Sequence, residues 1–121
     1  MNAVDLERYI EQAYGMAGER LFAKDPAICV FRHQSNRKWF AVIMEIPKAK
    51  LGLQDAAEIC IVNLKCDPSL IGSFRLEQGI YPAYHMSKDH WLTVAMDGAV
   101  PDDKIKFLLE MSYELTKGRK K

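Results

Sequence analysis

The side chains best suited to chemistry gather in residues 79–98, GIYPAYHMSKDHWLTVAMDG, which hold two of the three histidines and one of the two tryptophans. If two strands here are joined by a four-residue turn at 86–89, His85 and His90 become cross-strand neighbours with Cβ atoms roughly 5 Å apart. Two imidazoles so placed could begin a metal site, but a structural zinc needs about four ligands and a catalytic one about three. The other candidates are His33 and Cys29, Cys60 and Cys66, with no CxxC spacing. No metal and no cofactor are therefore expected, and the histidines read as shaping the turn, stacking on Tyr84 or Trp91 and bonding to backbone. Ser87 lies between these histidines with Asp89 beside it, but working triads are assembled by fold geometry and not by proximity in sequence. Cys66 precedes Asp67-Pro68 at a possible helix start, a position that lowers a thiol's pKa; a plain capping-region cysteine is the simpler reading. Gly15 and Gly18 are too sparse for a phosphate loop and follow a helix instead of opening one. No catalytic residue is assigned, and no enzyme is expected.

The cations offer a second chemistry. The formal net charge is +1, so there is no global basic footprint. The distribution is uneven: between Ile28 and Lys50 stand Arg32, Arg37, Lys38, Lys48 and Lys50 against Glu45 alone, and the carboxyl-terminal residues from Lys117 carry four cations and no acid. Arg32, Arg37 and Lys38 fall in RHQSNRK, between two strand-like runs, and read as a projecting basic finger that also holds His33. Lys88 sits on the turn between the last two strands. Two hairpin tips bearing cations could straddle a duplex, with Arg32, Arg37, Lys38, Lys48 and Lys88 on phosphates. The alternative for the same residues is a solvated surface.

These groups need elements to position them. Residues 2–16 read as a helix with Leu6, Ile10, Ala13, Tyr14 and Ala17 on one face, Asn2 as cap, Asp5 in the first turn and glycines at the exit. Residues 27–31 and 39–46 are apolar runs that form a hairpin. Pro47 and Gly52 break the connector that follows. Residues 57–66, AEICIVNLKC, are apolar on both faces and suit a central, covered strand. Asp67-Pro68 opens a short helix over 68–74. Residues 80–86 and 90–96 are the last strands, with Trp91, Thr93 and Ala95 facing one way and Leu92, Val94 and Met96 the other. Pro101 opens a helix whose inner face is Ile105, Leu108, Leu109, Ser112 and Leu115, flanked by Phe107 and Met111. The order α-β-β-β-α-β-β-α predicts an α+β fold with an antiparallel sheet of about five strands and helices packed on it.

At 121 residues the chain is expected to be one domain, 1–121, able to bury a core without disulfides. Three unpaired-looking cysteines argue against a secreted disulfide scaffold. The start MNAVDLERYIEQ lacks the basic and apolar regions of a signal peptide, and no apolar run is long enough to span a membrane. A cytoplasmic location and no membrane partner are expected.

Pro82, Tyr84, His85, Met86, Lys88, His90, Trp91, Thr93 and Val94 follow a pattern that resembles the MmcQ/YjbR-like family of small bacterial proteins. Asp97, Gly98, Val100, Pro101 and Asp102, then Leu109, Ser112, Tyr113 and Leu115, are similar to it as well, as is the run from Val62 to Pro68. The resemblance covers nearly the whole chain. It implies a CyaY-like fold with the element order read above, and DNA binding by a "double wing" of two hairpins; double-stranded DNA is then the expected partner. It implies no catalytic role for His85, Lys88, His90 or Trp91. A second expectation is a small-molecule or protein-binding module using the face around Tyr84, His85, His90 and Trp91.

Overall fold

A computed structural model describes residues 1–118; Arg119, Lys120 and Lys121 of the basic tail lie outside the described residues. Helix α1 is Ala3–Tyr14, opened by a reciprocal capping box in which the Asn2 side chain accepts from the Asp5 N–H and the Asp5 carboxylate from the Asn2 N–H, and closed by Gly15 in the left-handed region. Strands β1 (Cys29–Arg32) and β2 (Trp39–Pro47) form the first hairpin, a 3-10 turn (Lys48–Leu51) leads out of it, and β3 (Glu58–Lys65) returns alongside. After α2 (Ile71–Phe74) come β4 (Ile80–Pro82), β5 (Trp91–Ala95) and α3 (Asp102–Thr116). The sheet is antiparallel in the order β1-β2-β3-β5-β4, so β3 is central, and it is buried on both faces over Ile61, Val62, Asn63 and Leu64.

Both long helices cover one face. The amino terminus pairs with Asp102 at the start of α3, and Tyr14 at the end of α1 stacks on Tyr113 near the other end of α3. They run side by side in the same direction. Leu6 and Ile10 from α1 and Ile105, Leu108 and Leu109 from α3 close over Phe31, Phe40, Ile43, Val62, Leu64, Leu92 and Val94. A bulge makes this core possible: Phe31 pairs with Ala41 and Arg32 with Trp39, so Phe40 is the extra residue and turns to the helix side while Trp39 stays on the other. Gly18 lets the segment after α1 lie against β1, where Glu19 bridges Val30; a Cβ at Gly18 would overlap the Cys29 sulfur.

Several sequence expectations are corrected. Asp67-Pro68 does not open a helix. Asp67 accepts from the Ser69 N–H and hydroxyl, which makes a local turn, and α2 is a single turn beginning at Ile71. Strand β4 ends at Pro82 because the ring cannot donate to the ladder, and residues 83–90 form an eight-residue loop. His85 and His90 both belong to that loop, so they are not cross-strand neighbours. On α3 the inner face ends with Thr116, while Leu115 and Phe107 are exposed; on α1, Ala13 is exposed. The basic finger does not project. His33 is buried, its ring packs on Phe40 and Tyr113, and its Nε2 lies 2.8 Å from the Thr116 hydroxyl; Asn36 donates to the Thr116 carbonyl. The hairpin tip is thus moored to the end of α3.

Candidate functional site

With both long helices on one side, the other face of the sheet carries no long helix; Leu51 of the 3-10 turn, Tyr81 and Tyr84 pack there around the buried Ile46, Ile59, Ile61 and Ala95. Alternation places Val42, Met44 and Ile46 of β2 on it, with Asn63 of β3 and Thr93 of β5 alongside. A cleft of about 700 Å³ lies over this strip. Trp39, edge-on to Phe22 with ring centroids 6.2 Å apart, forms one side together with Ile28; Tyr84, His85 and Met86 of the 83–90 loop form the other. A second cavity of about 430 Å³ is lined by Lys50, Leu51, Tyr81 and Lys88, and Tyr84 and His85 line it too. These two side chains are therefore the wall that the cavities share. Ring centroids of Tyr84 and His85 are 3.9 Å apart.

The wall is held by a buried polar clamp. Asn63 and Thr93 pair across β3 and β5 and are wholly buried. The Thr93 hydroxyl donates to Asn63 Oδ1 at 2.5 Å and accepts from the Tyr84 N–H at 2.8 Å. The Asn63 amide donates to the Tyr84 carbonyl at 3.0 Å. Each buried polar atom has its partner, as an apolar surrounding requires. The next residue, His85, has φ of 58°, in the left-handed region that a non-glycine residue seldom enters. Strain of this kind concentrates where a side chain must be presented in one direction.

The groups singled out from sequence are distributed unevenly around this site. Tyr84 and His85 line it; His90, exposed, and Trp91, half-buried at the start of β5, line neither cavity. Of the cations, Lys88 lines the smaller cavity. Arg32 forms a two-pronged ion pair with Glu19, both contacts at 2.8 Å, which raises the guanidinium's pKa and lowers the carboxyl's. Lys48 pairs with Asp55 at 3.2 Å, and the Ala57 N–H followed by this ammonium holds Asp55 below the usual carboxylate range. Arg37, with φ of 64°, and Lys38 are exposed on the hairpin tip. The register puts the 33–38 and 83–90 loops at one end of the sheet and Lys48 at the other. The five expected phosphate contacts thus do not converge: Arg32 and Lys48 are neutralised by Glu19 and Asp55, and Lys48 follows the end of β2 opposite the 33–38 loop.

Sequence reasoning missed Asn63, Thr93, Trp39 and Met44 as site residues. One signal was present, an asparagine inside an otherwise apolar central strand. The nucleophile readings find no support in the geometry. Burial pushes the Cys29 thiol up to about 12 and the Cys60 thiol up to about 11, and it raises Cys66 as well, aided by Asp67, opposite to the expected direction. Among the described residues no side-chain hydrogen bond joins Ser87 to either neighbouring histidine, and no cluster of three or more His, Cys, Asp or Glu side chains is placed to hold a metal.

A family model described as YjbR matches residues 12–115. The chain belongs to the YjbR family. Like this member, the uncharacterised protein YyaQ of Bacillus subtilis (strain 168) is about the same length: the two are 37% identical over 113 residues, covering 93% of this chain and 96% of the relative. The uncharacterised protein YjbR of Escherichia coli (strain K12) is 39% identical over 54 residues, 44% of this chain and 46% of its own. A crystal structure of a Pseudomonas syringae protein superposes with a TM-score of 0.94 at 40% identity, covering 96% of this chain and 99% of that one. A Deinococcus radiodurans protein with a DUF419 domain superposes with a TM-score of 0.72 at 26% identity, covering 98% and 80%. The open-sheet α+β fold expected from the YjbR resemblance is the fold observed. No helix among the described residues is long and apolar enough to cross a membrane.

Proposed function

We propose that this YjbR-family protein is a non-enzymatic binding module whose open-face cleft takes up a small organic ligand with a largely apolar body. The observation that carries the reading is the cleft of about 700 Å³, a volume suited to a small molecule, with an apolar floor and a wall fixed by the Asn63–Thr93–Tyr84 clamp. Val42 and Ile46 of the floor are already buried, whereas Met44, Ile28 and Trp39 are half-buried and Phe22 is exposed, so these lack the full burial that stabilises apolar side chains. A bound apolar molecule would supply it. Binding rather than turnover is favoured by the raised thiols, and the hydrogen-bonded His33–Thr116 pair is buried against α3 and lines neither cavity.

The test is titration with the neutral fluorophore N-phenyl-1-naphthylamine, which brightens in apolar surroundings. Saturable one-to-one binding is expected, weakened roughly tenfold or more by Met44→Glu, which sets a carboxylate in the floor. An unchanged isotherm for a folded Met44→Glu variant, or no saturable binding by the native chain, refutes the reading.

Duplex DNA binding is the second reading, and one observation favours it: Arg37, Lys38 and Lys88 are exposed on two loops at the same end of the sheet. It requires an affinity for random duplex that falls steeply with salt and a shallower slope for the triple alanine variant of these residues. Salt-independent or absent binding at low ionic strength removes it.

A further inference from the structure

We propose, resting on the binding role given above, that the ligand is an anionic amphiphile, its apolar body over the β2 strip and its carboxylate or phosphate head in the smaller cavity between Lys50 and Lys88. The charges around the two cavities are sorted. Asp25, Glu45 and Glu58 border the larger one; the smaller one has two lysines, two tyrosines and a histidine around it and no acid. This is not a reflection of overall charge, since the chain carries 17 basic and 16 acidic residues.

The contrast within the 3-10 turn is instructive. Lys48 is neutralised by Asp55, whereas Lys50 has no ion pair among the described residues, and neither has Lys88, from a loop far away in sequence. Two segments thus bring unpaired ammonium groups, both exposed, to one concavity, where their fields add and are screened by salt. The Tyr81 side chain, also lining this cavity, adds a phenol able to donate to an oxyanion. Because Tyr84 and His85 line both cavities, one molecule reaching past that wall fills the two together.

The experiment compares probes with the same aromatic skeleton, neutral N-phenyl-1-naphthylamine and anionic 1-anilinonaphthalene-8-sulfonate, on the native chain and on the Lys50→Gln/Lys88→Gln variant. The sulfonate is expected to bind about tenfold more tightly than the neutral probe, to lose that advantage in the variant, and to weaken with added salt, while the neutral probe keeps its affinity throughout. Displacement of the sulfonate by octanoate or by octyl phosphate, more effective than by octanol, then tells which head group is preferred. Equal affinities for the two probes, an unaltered sulfonate affinity in a variant with native urea midpoint, or octanol displacing as well as either acid overturns the anion assignment and leaves the apolar cleft standing. Failure of both probes overturns the two together.

Discussion

Replacing Asn63 by leucine keeps the branching of the side chain, adds bulk, and removes both the acceptor of the Thr93 hydroxyl and the donor to the Tyr84 carbonyl. Both side chains are wholly buried, so the stranded Thr93 hydroxyl stays dry, at a cost of about 1–3 kcal/mol. The Tyr84 carbonyl belongs to a surface loop and can turn to water, which limits its share. A net loss of about 2 kcal/mol is expected for Asn63→Leu. Thr93→Val alone removes the partner of the Tyr84 N–H and of Asn63 Oδ1 and costs a similar amount. The double variant leaves no side-chain polar group stranded, so its loss falls short of the sum by about 1–2 kcal/mol. Urea denaturation of the four proteins measures this coupling, and hydrogen exchange at the Tyr84 amide reads the clamp directly. That amide is protected in the native chain and exchanges faster in Thr93→Val. Additive losses, or a Tyr84 amide that already exchanges freely in the native chain, refute the clamp.

Three other outcomes are expected. His33 is held below the ordinary imidazole pKa, first by burial, so the unfolded chain takes up a proton before the folded one as pH falls below about 6.5; stability should drop in that window, and the drop should be smaller in a folded His33→Gln variant followed by urea midpoint against pH. Glu19 has a lowered pKa from its Arg32 pair, so the stability it contributes is complete above the ordinary carboxylate range and is lost as pH falls through the lowered value; the midpoint difference between native and Glu19→Gln chains should shrink in acid and in high salt. With burial raising all three thiols, a disulfide reagent at pH 8 should react slowly with the native protein and rapidly with all of Cys29, Cys60 and Cys66 in urea.

The fold was largely legible because its signals are local or periodic. The capping of α1, the alternation in β3 and β5 and the spacing of Ile105, Leu108, Leu109 and Ser112 each carry their own physics. The errors arose where tertiary contacts decided. Pro82 marks where β4 can stop, but nothing local says that residues 83–90 then stay a loop, because the Asn63 and Thr93 side chains make the alternative hydrogen bonds from other strands. The polar RHQSNRK run looks like a free finger until α3 is placed beneath it, with Thr116 meeting His33 and Asn36. Arg32 looks like a phosphate ligand until Glu19 arrives from a segment that β1 itself recruits. Of the site, Tyr84, His85 and Lys88 were visible as a polar, aromatic cluster. The apolar floor was not, since Val42, Met44 and Ile46 read as ordinary core, and only the shared location of both long helices leaves a cleft above them, with Met44 half-buried.

The central claim, a ligand in the open-face cleft, is tested most directly by the two tryptophan indole N–H resonances in a proton–nitrogen correlation spectrum. Trp39 lines the cleft and Trp91 lines neither cavity. On addition of N-phenyl-1-naphthylamine the Trp39 resonance should shift saturably and clearly more than that of Trp91. A Trp39 resonance that stays in place, or a larger shift at Trp91, contradicts the account.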